Sequence, residues 1–508
     1  MPVDTTKVQS GFYVGEAAQQ GAFSTKNVIE DFMKTDYQEG LRNEFNMMDA
    51  LINHLSKDTI TGKKKYKAFA LGVADNVRAV GDTFDRYELG FDSFYNKGVE
   101  TVEAEFDTTK LMALFSITDE AILKGTGDGS LIDVLKDSLD RMEISLKHTM
   151  NRYTYGAPDG KIGVVDNASV SLEAIGTTAG EIPTTAHGSD WNKFYDTRNG
   201  QTVAYPSVMK FNMSNSSNLL PGMGIMIDVN DKEGTHTKRF VGRIWQKDNS
   251  KIYSDTVIAF IEKYYEYTAG KGWEKAEVPT TLALAADDVA TVYSRQLIDT
   301  IEAAQREYNG LEAIVINEGG KYDKIFGVDR SIYPALKSTT FDLEGKNYLS
   351  EELLRDMADH LALTSPDGTS INFCCAEHRI ISAVEKSLYQ LKDYTPQGAT
   401  NGWQIGAVGA NELKFDNFVL YKDKYARNKN VYMLDQTKIG ELVRRDFQWI
   451  TSGEVNSVLQ RRPGTEMYEG IMNKYADMYI DAWRCHGAIK NCKVPGVNEI
   501  VAYPYVRN

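Results

Sequence analysis

The longest regular pattern in the chain runs from Ser130 to Gly156. Leu131, Leu135, Leu139, Met142, Leu146, Met150 and Tyr153 recur in steps of three and four, which keeps them on one stripe of an α-helix. Ser130 with Asp133 makes an approximate capping pair, and Gly156 stands where a left-handed C-cap would close the helix. About 25 residues at roughly 1.5 Å each give a rod of roughly 37 Å, about twice the usual globular helix. Before it, Val28, Ile29, Phe32, Met33, Leu41, Phe45, Met48, Leu51, Ile52 and Leu55 also recur at helical spacing. The polar, Gly-containing stretches between them leave no compact core, so residues 1–61 read as an arm that packs on something else.

Between these helical patterns the period changes to two. Val102, Ala104 and Phe106 alternate with acidic residues, and Leu111, Ala113 and Phe115 alternate in part, so both runs predict strands joined near Asp107 and Thr108. Residues 164–285 are rich in Thr, Ser, Asn and Gly and read as several short strands of a small β-barrel or sandwich, with turns at Asp231–Gly234 and Lys247–Ser250. A partial stripe of Val292, Leu297, Ile298 and Ile301 predicts helix over Thr291–Tyr308, and the apolar run Leu311–Asn317 predicts a strand. Downstream, Glu351–Leu363 is an amphipathic helix that stops before Pro366 and Gly368. INFCCA is a buried strand, EHRIISAVEKSLYQL a helix, and ELKFDNFVLYKD a strand pair. EGIMNKYADMYIDAWRCHGAIKNCKV begins the closing strands. The whole is an α+β chain.

At 508 residues the chain is too long for one core, and 42% hydrophobic with 25% charged residues places it among folded, soluble proteins. No run approaches the ~18 apolar residues of a membrane span, and the first residues lack the basic and apolar regions of a signal peptide. The chain is therefore expected to stay in the compartment where it is made. The net charge of −14 argues against a broad nucleic-acid grip, though not against a container that must avoid sticking to DNA it encloses.

Catalytic chemistry is sought without a match. Walker, dinucleotide-binding, zinc-protease and nucleophile-elbow patterns are all missing. The GTGDG of residues 125–129 imitates a phosphate cradle but follows a helical pattern and carries nearby acidic charge. The DKEG of residues 231–234 resembles part of a calcium loop without its spacing, and a hairpin turn fits it better. Cys485, His486 and Cys492 could be imagined around a metal, yet their spacing fits no familiar zinc pattern, and reduced structural thiols suit them and the Cys374–Cys375 pair. The basic run Lys63–Lys67 reads as a solvated patch, with contact to a nucleic acid or acidic partner as the sharper alternative. No catalytic, cofactor-binding or metal-binding residue is assigned, and no cofactor is expected.

The order of parts carries a resemblance. A polar arm, an extended loop, the phrase KLMALFSITDEAIL, a Gly-rich break and a long helix ending NRYTYGAPDGKIG follow one another. GLEAIVIN, IFGVDRSIYPALKS, ELLRDMADHLAL, FCCAEHRIISAVEKSL and FDNFVLYKDKYARNKNVYMLD come after them. Together these resemble the major capsid protein of tailed double-stranded DNA bacteriophages, the Hong-Kong-97-type fold. The resemblance implies an N-terminal arm at 1–61, an extended two-stranded E-loop at 62–118, and a short helix with the long spine helix at 119–163. It then implies an inserted small β-barrel-like domain at 164–285, the peripheral domain continued at 286–324, an axial domain at 325–410, and the peripheral sheet with the C-terminus at 411–508.

It further implies no enzymatic activity, self-assembly as hexamers and pentamers into an icosahedral or prolate shell, and packaged double-stranded DNA held only by weak non-specific contact. The implied partners are further copies of the chain, a scaffolding protein, a portal and possible decoration proteins, with no membrane. The implied locations are the virion and, during assembly, the host bacterial cytoplasm. Only about 60 residues precede the loop, so separate scaffolding without cleavage is expected, and Lys97 has no assignable cross-linking partner. An encapsulin-like protein shell remains an alternative. A reading from another class is a multidomain hydrolase or carbohydrate-binding protein that uses 164–285 as its binding module.

Overall fold

The computed structural model describes residues 50–71, 101–118, 142, 145–174, 196–198, 201–203, 207–213, 216, 219–247, 255–269, 271–279, 284–285, 287–295, 307–365, 371–390, 412–415, 418–427, 429–450, 459–461 and 466–495. The first elements are α1 (Ala50–His54) and β1 (Ser56–Thr59), then β2 (Lys65–Ala70), β3 (Thr101–Phe106) and β4 (Thr109–Thr118). The two strands expected from the alternation of Val102 to Phe115 form, but they do not pair with each other. β3 pairs antiparallel with β2, whereas β4 pairs along all ten residues with a strand near the other end of the chain. At Asp107 and Thr108 the backbone passes from the β2–β3 pair to the sheet that holds that late strand.

Of the long helix, residue 142 and residues 145–155 are described, and the latter form α2. Met142, Leu146 and Met150 of the predicted stripe are buried. The start of that helix, the short helix after Thr118 and the 125–129 glycines lie outside the described residues. Gly156 does end the helix, but not in the expected left-handed conformation. Its N–H turns back to the Tyr153 carbonyl, and a Cβ there would sit 2.9 Å from the Arg152 carbonyl oxygen. Crowding, not a positive φ, is what asks for glycine.

The β-rich stretch closes on itself. Its strands are β5 (Lys161–Ala174), the small hairpin β6 (Asp196–Arg198) and β7 (Gln201–Val203), β8 (Ser207–Met213), β9 (Gly224–Asn230), β10 (His236–Lys247), β11 (Thr256–Thr268), β12 (Gly272–Ala276) and β13 (Val289–Ser294). Antiparallel pairings run β5–β13–β9–β10–β11–β8 and back to β5, a closed six-stranded barrel with β12 added outside β11. Closure removes the free edges a small sheet would otherwise expose. Phe211, Ile227, Phe240, Val257, Ile261 and Val292 fill its interior. At the β10 bulge a Cβ on Gly242 would lie 2.0 Å from the Phe260 carbonyl oxygen, so only glycine lets the two strands approach there. The helix predicted over Thr291–Tyr308 is corrected at its start, where β13 closes the barrel. Val289, Thr291 and Val292 are β-branched, and Thr291 and Val292 have partners on both sides. Residues 296–306 lie outside the described set.

The run Leu311–Asn317 corrects another expectation. Glu312–Ile316 is a single buried π-helical turn, ended by Asn317 in the left-handed region at φ 45°. An apolar run this short suits strand and buried helix alike, and its ends decide. Gly310 fits against the end of α2 so closely that a Cβ would stand 2.3 Å from the Tyr153 carbonyl oxygen. Next come β14 (Lys324–Ile325), β15 (Val328–Asp329) and β16 (Thr339–Asp342), then α3 (Glu351–Thr364), β17 (Phe373–Ala376) and α4 (His378–Gln390). The last strands are β18 (Glu412–Phe415), β19 (Phe418–Lys422), β20 (Val431–Leu434), β21 (Ile439–Trp449), β22 (Leu459–Arg461), β23 (Met467–Ile480) and β24 (Gly487–Lys490).

Two mixed sheets organise this half. One has the order β16–β24–β20–β17–β19–β18. Its Cys374, Ala376, Leu420, Val431 and Met433 pack against Leu354, Met357 and Leu361 of α3 and Ile380, Ile381 and Val384 of α4. Its opposite face, with Phe373, Cys375, Tyr432 and Leu434, joins the main core together with Leu146, Met150 and Ile314. The other sheet is β1–β21–β23, with β22 and β4 also on β23. Ser350 caps α3 by accepting the Leu353 N–H, as the sequence order Ser-Glu-Glu before an apolar stripe suggests.

Candidate functional site

The chemical candidates resolve into structural roles. Cys485 Sγ lies 3.2 Å from Ser365 Oγ, while Cys492 packs in the apolar cluster behind α3, where burial pushes its thiol up to about 12. His486 is fully buried between them in sequence but turns elsewhere, and its Nδ1 accepts the Asp435 N–H at 3.2 Å. Burial lowers its pKa to about 4, against the smaller opposing pull of Asp435 and Asp481. The three residues do not converge, and among the described residues no group of three or more potential ligands does. Cys374 and Cys375 are buried, and burial raises both thiols.

At 231–234 the preferred hairpin turn is present. Asp231 Oδ1 accepts the N–H groups of Glu233 and Thr235, and Gly234 has φ +81°. The basic run is likewise engaged within the chain: Lys64 pairs with Glu105, Lys65 with Asp58 and Lys67 with Asp481. The Lys65 ammonium holds the Asp58 carboxyl below its ordinary range. Lys97 and the loop aromatics Phe84, Tyr87, Phe91, Phe94 and Tyr95 lie outside the described residues.

What the geometry does assemble is an anchored arm. β2 and β3 pair with each other and form a sheet of their own. Ion pairs of Lys65 with Asp58 and of Lys67 with Asp481, and the Glu105 N–H donating to the Phe326 carbonyl at 2.8 Å, tie its base to the body. Phe69 is buried against Trp483, with ring centroids 4.9 Å apart. Beside the base lies a cleft of about 280 Å³ lined by Lys64, Glu105, Asp107, Asn309, Tyr322 and Asp477, among others. Along β4 the side chains alternate. Leu111, Ala113 and Phe115 face the core, while Met112 and Leu114 are 43% and 55% exposed.

Behind the arm is a buried polar frame that pattern reading missed. Arg330 is fully buried and donates to three carbonyls, those of Ala313, Ile314 and Tyr322, at 2.6–2.7 Å. It thereby satisfies the end of the π-helical turn, and burial lowers its pKa to about 10 without discharging it at neutral pH. Arg152 of α2 donates to Glu307 at 2.9 Å, and Ser294 of the barrel donates to the same carboxylate. Arg427 pairs with Glu312 and also donates to the Lys161 carbonyl. Tyr155 donates its hydroxyl to Asp423 at 2.7 Å; burial raises the pKa of both groups. One signal was available: arginines embedded in apolar phrases, as in FGVDRSIY, since a buried arginine must find acceptors.

No protein-family model matches the chain, and no curated protein does. Solved structures do. The likeness is to capsids. A chain of the cyanophage A-1(L) capsid asymmetric unit aligns with TM-score 0.44 and 8% identity, over 87% of this chain and 91% of that one. A chain of Mycobacterium phage Patience aligns with TM-score 0.36 and 9% identity, over 93% and 91%. The virus-like particle from Pyrococcus furiosus gives TM-score 0.33 and 9% identity, over 89% and 96%. The described residues have the expected mixture of helices and sheets.

Proposed function

We propose that the chain is a major capsid subunit of a tailed bacteriophage, a structural protein with no catalytic role. The observation that supports this reading is the arm. Among the described residues β2 and β3 join no larger sheet, and a two-stranded antiparallel pair is marginal alone in water and needs a surface to lie on. Here its base is clamped to the body by the Lys65–Asp58 and Lys67–Asp481 ion pairs, while the chain between Leu71 and Thr101 carries a dense set of aromatic residues. Aromatics contribute strongly where subunits meet. In this reading 62–118 is the E-loop that reaches a neighbour, 1–61 is a second arm, and 119–163 carries the spine. The peripheral domain expected at 286–324 begins after the barrel's last strand β13 and resumes at 411–508, 325–410 is the axial domain, and the insertion expected at 164–285 runs to the barrel's own ends at Lys161 and Ser294. Hexamers and pentamers close a shell around double-stranded DNA in the host cytoplasm, helped by scaffolding and portal proteins and open to decoration. The acidic balance keeps packed DNA from adhering to the wall.

Negative-stain microscopy and sedimentation of the expressed chain, with and without its co-expressed scaffold, test the proposal. Closed particles are expected. A monomer that persists at high concentration beside the scaffold would count decisively against a shell.

A further inference from the structure

The tip of the barrel beside the turns at 231–234 and 268–272 gathers three aromatic rings. His236 follows the Asp231–Gly234 turn in β10, and Tyr267 of β11 stands directly across from Trp273 of β12. The three rings touch. Tyr267 and Trp273 have centroids 5.4 Å apart, His236 and Trp273 5.7 Å, and His236 and Tyr267 6.5 Å, at mutual inclinations of 52–69°. Tyr267 is 38% exposed, His236 is exposed and Trp273 is half-buried. The indole is held from behind. The Arg239 guanidinium lies 4.2 Å from its ring centre and is itself fixed by Asp228, with Nε to Oδ1 at 2.5 Å and Nη2 to Oδ2 at 2.7 Å. That ion pair is buried, so the ring is set by the barrel wall before any ligand arrives. Next to His236 in the ladder is Asn230, whose side-chain carbonyl oxygen is buried without a hydrogen-bond partner.

We propose that this tip is a binding site for a neutral saccharide. A pyranose offers a face of C–H groups that lies against an aromatic ring and a rim of hydroxyls that donate to acceptors such as the Asn230 carbonyl. A cation is a poor occupant, because Arg239 already takes the cationic position on Trp273 and the rings stand too close together to enclose another. Nucleic acid is disfavoured by a rim of paired opposite charges, Lys232 with Asp287 at 3.8 Å and Lys271 with Glu274 at 3.7 Å, which makes no basic field. A second copy of the chain needs about 800 Å² per partner, far more than three rings provide.

The test uses the purified full chain, isothermal titration and tryptophan fluorescence, with maltohexaose and chitohexaose as probes. Tetramethylammonium and a single-stranded oligonucleotide are the competitors. Saturable binding of at least one oligosaccharide is expected, weakened about tenfold or more by Trp273→Ala and also by Tyr267→Ala, with neither competitor displacing it. Thermal melting monitors the fold. If Trp273→Ala melts early, the exposed pair His236→Ala and Tyr267→Ala provides the same comparison in an intact barrel. Binding of neither oligosaccharide, binding indifferent to these substitutions in folded protein, or displacement by either competitor would each overturn the proposal.

Discussion

Arg330 and His486 are both fully buried, yet they act in opposite senses on the stability of the subunit. Arg330 remains charged because three carbonyls receive its N–H groups. Replacing it by Met keeps the volume but strands those acceptors in the core. We expect Arg330→Met to cost on the order of 3 kcal/mol, read as a lower denaturant midpoint or as subunits lost to the insoluble fraction. A midpoint like that of the parent would mean that water takes over the three carbonyls. His486 is buried neutral instead, with a pKa near 4 in the folded chain against 6.5 when unfolded. The unfolded state therefore binds more protons between these values, so stability falls as the pH drops from about 6.5 toward 4 and this contribution is fully lost below that window. Asp435 and Asp481 face the ring and moderate the shift without reversing it. Denaturation midpoints across that range should decline more steeply for the parent than for His486→Leu, and parallel slopes would remove His486 from the acid response.

Elements differ in how plainly the sequence announces them, and the difference has a physical source. The helices at 351–364 and 378–390 were legible because each has a wide apolar stripe against one sheet face, and the alternation at 101–118 was legible for the same reason in period two. The π-helical turn at 312–316 was not, since four buried apolar residues after a buried glutamate have no period to read. Its conformation is decided by Gly310, Asn317 and a distant Arg330. The partner of β4 was hidden too, because β23 lies some 350 residues away and periodicity says nothing about pairing. Of the candidate site, the aromatic and basic content of the arm was visible, but the ion pairs at its base join residues as distant as Lys67 and Asp481. Two substitutions probe this scale. Leu146→Ala in α2 removes a buried side chain and should cost about 2–5 kcal/mol. Gly310→Ala sets a methyl within 2.6 Å of the Thr154 and Gly156 carbonyl oxygens and should be at least as damaging. Both are checked by thermal melting of soluble subunits, and an unchanged melt for Gly310→Ala would place the end of α2 elsewhere.

For the whole molecule the question is what the arm is for. Phe69 is buried on the chain's own Trp483, so the base of the arm belongs to the subunit. Deleting residues 76–97 and bridging the gap with Gly-Ser leaves that base intact. The expected product is a subunit with normal circular dichroism and melting that sediments as a monomer. Particles of normal size would show that the arm does not join subunits, and loss of the fold would place it within the core. The barrel invites a different kind of reasoning. Its first and last strands are neighbours, with Lys161 opposite Tyr293, so the chain departs and returns at nearly one point. For the remainder of the protein, everything between those residues is topologically a knob on a stalk. Natural variation or an engineer can exchange its contents for other cargo, provided that Lys161 and Ser294 keep their bonds to Arg427 and Glu307.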